Sequence, residues 1–154
     1  MSNYSPTQEE EYSLYFDGCS KGNPGPAGAG FVLYQGSREI LSKSEFISEH
    51  DTNNVAEYHA LVLGLKKSLS YGIRRLTVYG DSLLVIKQVT GKYKVNSHNL
   101  KQYHDYAIEL AKQFEFIRFE HVLREKNKRA DELANLSLLS TLSTLSTLST
   151  LSTF

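Results

Sequence analysis

A single cysteine, Cys19, stands among 154 residues, which excludes an internal disulfide and a multi-thiolate zinc cage. No stretch approaches the ~20 apolar residues of a membrane helix. Residues 1–11 are also too polar for a signal peptide. A cytoplasmic or otherwise intracellular chain with no membrane partner is the expectation, with nucleus and organelle left open. Net charge is lacking too, because 17 Lys and Arg offset 17 Asp and Glu. No global field advertises a polyanionic partner. A balanced total still leaves room for a local basic patch, since the Glu9-Glu10-Glu11 run offsets charge elsewhere.

What is present describes a soluble globular chain: 40% apolar and 22% charged residues, and enough length for one domain with a real core. Residues 1–11 read as a flexible leader, 12–139 as the domain and 140–154 as a low-complexity tail. The tail repeats Ser-Thr-Leu, a period of three that walks the leucines around a helix instead of lining one face. A monomer is expected.

Within the domain, 14–17, 29–35 and 39–47 read as three strands, separated by a Gly-Pro-rich turn and by Gln35-Gly36-Ser37-Arg38. Asn53 or Asn54 is placed to cap a helix whose apolar positions recur at helical spacing, ending near Tyr71-Gly72. A strand over 75–79, a helix over 83–89 closed by Gly91 and a helix over 100–114 follow. A strand over 116–122 and a helix over 127–139 complete the series. The pattern predicts an α/β fold, one mixed sheet with helices on its faces.

Four acids sit in local patterns that give a carboxylate a purpose. Asp17 ends an apolar strand and opens Asp17-Gly18-Cys19-Ser20-Lys21-Gly22-Asn23-Pro24-Gly25-Pro26-Ala27-Gly28. Glu57 lies in Asn53-Asn54-Val55-Ala56-Glu57-Tyr58, and Asp81 follows Leu76-Thr77-Val78-Tyr79-Gly80. Asp131 belongs to Asn127-Lys128-Arg129-Ala130-Asp131-Glu132-Leu133-Ala134. Carboxylates at strand ends and helix starts suit a divalent-metal site on a sheet. Each also has a bland role: Asp17 in a turn, Glu57 as an exposed first-turn acid, Asp81 in a cap with Ser82, Asp131 paired with Lys128 or Arg129.

These segments together resemble the type 1 ribonuclease H family, over about residues 12–136. The resemblance implies a five-stranded sheet of order 3-2-1-4-5, which sets Asp17 beside Asp81. It also implies hydrolysis of the RNA strand of RNA–DNA hybrids, leaving 5′-phosphate and 3′-hydroxyl ends. Two Mg²⁺ ions, or Mn²⁺ in their place, would be held by Asp17, Glu57, Asp81 and Asp131, with Asp17 as the bridge. Gly18, Cys19, Ser20, Asn23, Asn53 and Asn54 would line the minor groove, where the 2′-hydroxyl tells RNA from DNA. Asn23 and Asn53 also have a turn-and-cap reading that needs no ligand.

For the auxiliary loop residue the family pattern admits His121 or Arg124. Alternation over 116–122 keeps His121 on the strand, which favours Arg124, a phosphate holder and not a proton acceptor. The long basic protrusion of some members is missing, leaving Lys92, Lys94, Lys126, Lys128 and Arg129 for phosphate contacts. A catalytically weak RNA- or hybrid-binding module of the same fold is the competing reading, and a DNA-cleaving relative a third.

Overall fold

The computed structural model describes residues 11–139. The leader, apart from Glu11, and the Leu-Ser-Thr tail lie outside the described residues. Five strands and four helices follow in order: β1 (Tyr12–Ser20), β2 (Gly25–Gln35), β3 (Arg38–Asp51), α1 (Asn53–Ser70), β4 (Arg75–Gly80), α2 (Leu83–Val89), α3 (His98–Ala111), β5 (Phe116–His121) and α4 (128–139). A 3-10 turn over Arg124–Lys126 precedes α4.

The sheet runs β3-β2-β1-β4-β5, the order the resemblance implied. β1, β2 and β3 form an antiparallel meander, while β4 and β5 add in parallel. Parallel neighbours need a crossover. α1 supplies it between β3 and β4, and α2 with α3 between β4 and β5.

Alternation along the central strands sends Leu14 and Phe16, Phe31 and Leu33, and Leu76 and Val78 toward the α1 side. There they are almost wholly buried with Tyr58, Leu61 and Leu65. Each such side chain contributes roughly 1.5–3 kcal/mol by leaving water. The opposite face of β2 is built differently. At Gly30 a Cβ would collide with the backbone of Ala130 and Ala134, so α4 seats directly on the strand.

Strand and helix limits differ from the sequence expectations in instructive ways. β3 continues to Asp51, whose carbonyl accepts from the Ser20 hydroxyl at 2.6 Å. The α1 cap is Thr52, not Asn53 or Asn54: its hydroxyl accepts from Val55 N–H at 3.2 Å. Asn53 is unavailable as a cap because its side-chain oxygen accepts from Ser20 N–H at 2.7 Å. A cap of this kind is worth about 1 kcal/mol. α3 spans His98–Ala111 under a Ser97 cap, earlier than its apolar stripe indicated. Asn127 stands outside α4, between it and the 3-10 turn.

Candidate active site

The register of β1 against β4 pairs Phe16 with Gly80, which sets the following residues side by side, Asp17 within β1 and Asp81 just past the end of β4. Glu57 reaches them because α1 crosses β1 with no clearance at residue 18. A Cβ on Gly18 would fall inside the backbone of Ala56 and Glu57. One carboxylate oxygen from each of Asp17, Glu57 and Asp81 lies within 4.8 Å of the others. α4 delivers Asp131 from the opposite side of the sheet. It lines the same open cleft of about 460 Å³ as these three acids, outside their compact group.

All four acids named from the sequence therefore converge. Their bland alternatives do not describe the structure. Glu57 is only 8% exposed, the cap of α2 is Ser82, and Arg129 pairs with Glu39 at 2.9 Å instead of Asp131.

Packing like charges together in a buried place raises their proton affinity. The Asp17 carboxyl is pushed from its ordinary 3.8 up to about 8, chiefly by burial. The charges of Asp81 and Asp131 push the same way, and a hydrogen bond with Glu57 partly opposes them. Burial, then the charge of Asp17, holds Glu57 well above the usual carboxylate range. Asp81 is raised by burial as well, against stabilising contacts from Asn127 and Arg124.

Glu57 Oε2 is buried with no hydrogen-bond partner. An all-oxygen, acid-rich cluster with an orphaned buried oxygen fits a hard divalent cation such as Mg²⁺ or Mn²⁺. Asp17, Glu57 and Asp81 bring their oxygens close enough together to hold one, and Asp131 faces the same cleft.

Of the predicted substrate residues, Gly18, Cys19, Ser20, Asn53 and Asn54 line this cleft. Asn23 does not. Its side-chain oxygen accepts from Asn53 N–H at 2.9 Å, so it buttresses a cleft residue from behind. Arg124 lines the cleft with its guanidinium 4.0 Å from Asp131 Oδ1. His121 stays on β5, where its Nε2 lies 3.3 Å from the Asp81 carbonyl, and it does not line the cleft. Lys126 and Arg129 line a separate cavity with Tyr15 and Tyr34.

Sequence reasoning missed two asparagines. Asn127 is 1% exposed and donates through Nδ2 to the Phe16 carbonyl at 2.9 Å, while also supporting Asp81. Asn135 donates to the carbonyl and Oδ1 of Asp131 at 2.9 and 3.2 Å. Their signal was present: each lies four residues from Asp131, one helical turn to either side.

Sheet order, parallel β1–β4 pairing and an acid cluster beside those two strands define the ribonuclease H-like class of folds. Comparison with known proteins narrows this. Residues 15–137 match the family model described as reverse transcriptase-like. Ribonuclease HI of Halobacterium salinarum is 42% identical over 86% of this chain and 67% of that protein. The crystal structure of RNase H1 from that archaeon has a TM-score of 0.81 at 40% identity, covering 84% of this chain and 98% of its own. LC11-RNase H1, solved in complex with an RNA/DNA hybrid, gives a TM-score of 0.81 at 35% identity over 86% of this chain and 99% of its own. A Mycobacterium tuberculosis protein named as bifunctional is 42% identical over 77% of this chain, which spans 33% of its length. The chain belongs to the type 1 ribonuclease H family of enzymes.

Proposed function

We propose that this protein is an endoribonuclease that hydrolyses the RNA strand of RNA–DNA hybrids and leaves 5′-phosphate and 3′-hydroxyl ends. The observation that carries the proposal is the convergence of Asp17, Glu57, Asp81 and Asp131 on one cleft. The cleft also holds Ser20, Asn53 and Asn54. The hybrid complex of LC11-RNase H1, a relative of the same fold, supports the substrate class.

Bound divalent ions would supply an activated water and neutralise charge on the departing 3′ oxygen. Every other contribution comes from the chain. Asp17, central on β1 and within reach of all three partners, bridges the cluster. Glu57 and Asp81 complete one side of it and Asp131 the other. Arg124, exposed and at the cleft rim, holds the scissile phosphate or the departing strand, because a guanidinium stays charged near neutrality and accepts no proton. The floor at Gly18 and the Ser20–Asn53 hydrogen bond present backbone and amide groups to a shallow groove, where 2′-hydroxyls are read.

End-labelled hybrid, duplex RNA and duplex DNA of one sequence, each incubated with Mg²⁺ or with chelator, test the proposal. Metal-dependent cuts confined to the RNA strand of the hybrid, with 5′-phosphate ends, are expected. Retention of hybrid without cleavage at any metal concentration would favour the binding-module reading. Cleavage of duplex DNA alone would favour a DNA nuclease.

A further inference from the structure

Asp131 differs from the other three acids in how it is held. Asp17, Glu57 and Asp81 form a compact group, whereas Asp131 stands apart with its side chain 31% exposed. Asp17 shares a side-chain hydrogen bond with it, and two residues outside the group hold it as well. Asn135, one turn along α4, donates its Nδ2 to Asp131 Oδ1 at 3.2 Å, and Lys21 Nζ donates to Asn135 Oδ1 at 2.8 Å. Lys21 belongs to the β1–β2 turn, which its own N–H closes onto the Pro26 carbonyl at 2.9 Å. A three-residue chain of hydrogen bonds thus spans 114 positions of sequence and joins that turn to the fourth carboxylate.

The turn begins where Cys19 and Ser20 line the cleft, so a molecule seated there presses on the same segment that carries Lys21. Asn135 suits the task. Its amide donates to a carboxylate on one side and accepts from an ammonium on the other, so its orientation is fixed by both partners. Cation affinity at Asp131 depends on where its oxygens point, and neighbours that orient a ligand tune the site.

We propose that Lys21 and Asn135 are positioning residues that couple seating of the hybrid on the β1–β2 turn to the placement of Asp131 for divalent-cation binding. This rests on the hybrid-cleaving reading above. Loss of either residue then weakens the cation site more than it weakens grip on the hybrid.

The test compares wild type, Lys21→Met, Lys21→Arg, Asn135→Ala and the Lys21→Met/Asn135→Ala double variant. Hybrid cleavage is followed across a Mg²⁺ titration, and Mn²⁺ binding to the free proteins by water-proton relaxation. Lys21→Met and Asn135→Ala each raise the Mg²⁺ midpoint roughly two- to tenfold, the effect of one lost hydrogen bond. KM for the hybrid moves less. The double variant goes no further than the larger single effect, as for members of one chain of contacts, and Lys21→Arg restores the midpoint. A raised KM with an unmoved midpoint would make Lys21 a plain phosphate contact and overturn the proposal, as would multiplying effects in the double variant. Should wild type itself leave the hybrid intact, the hybrid reading fails separately. Mn²⁺ binding then decides whether Asn135 holds Asp131: weakened binding in Asn135→Ala supports the role, and unchanged binding ends it.

Discussion

The side-chain amide of Asn127 donates to the main-chain carbonyl of Phe16 at 2.9 Å, across 111 positions of sequence. That one bond fastens the start of α4 to the strand residue just before Asp17. The Asn127 carbonyl meanwhile accepts from Asp131 N–H at 3.1 Å. Asn127 is thus a buried pin between two arms of the acid cluster.

Asn127→Ala should therefore lose about 1–3 kcal/mol of stability, the cost of leaving a buried carbonyl unpaired. Hybrid cleavage should fall along with it, because Asp81 loses a supporting contact. Chemical denaturation and cleavage rates at saturating Mg²⁺ measure the two effects. Wild-type values for both would remove Asn127 from this role.

Stability of the metal-free protein should fall as pH rises from about 4 to about 8. The Asp17 carboxyl binds its proton up to about 8 when folded but releases it near 3.8 when unfolded. Below the lower value both states are protonated, and stabilisation from the retained proton is complete. It is lost as pH climbs through the folded value. Glu57 and Asp81, raised in the same direction, add to the slope. Saturating Mg²⁺ should offset the loss, since a cation that binds only the folded state stabilises it by mass action. Thermal melts across this pH range, with and without Mg²⁺, read both effects.

Arg124→Ala should slow hybrid cleavage by roughly ten- to a hundredfold, the worth of one charge-assisted hydrogen bond to phosphate. His121→Ala should change it by about twofold or less, as expected for an exposed side chain that does not line the cleft. Single-turnover rates at saturating metal separate the two. The reverse ranking would make the strand histidine the auxiliary group.

Gly18→Ala should cost about 3 kcal/mol or more, because the added methyl meets main chain, which cannot turn aside as a side chain can. Such a change also lifts α1, and Glu57 with it, off the sheet. Reduced Mn²⁺ binding in whatever folded fraction remains is the expected companion. A variant with wild-type stability and metal affinity would show that the helix has room to retreat.

Strands and helices were legible because apolar spacing and Gly-Pro punctuation are local signals. α2 matched its predicted limits, since a short apolar run between Ser82 and Gly91 has clear ends. Sheet order came from family resemblance, because nothing local to residues 12–20 and 75–80 says that they lie side by side. The four acids were legible through their motifs. Roles that depend on distant partners were not. Asn53 carries every mark of a helix cap, yet its oxygen is claimed by Ser20, 33 residues earlier. Asn23 fits a minor-groove contact but is turned to support Asn53. Asn127 and Asn135 gain meaning only once α4 lies against β1 and β2.

The carboxylate of Asp17 is the centre of the account, and replacing it with an isosteric amide is its most direct test. Single-turnover cleavage of an RNA–DNA hybrid by Asp17→Asn, beside wild type over a full Mg²⁺ titration, is the measurement. A loss on the order of a thousandfold or more that added Mg²⁺ does not recover, in a folded variant, is predicted. Cleavage by Asp17→Asn at the wild-type rate would contradict it.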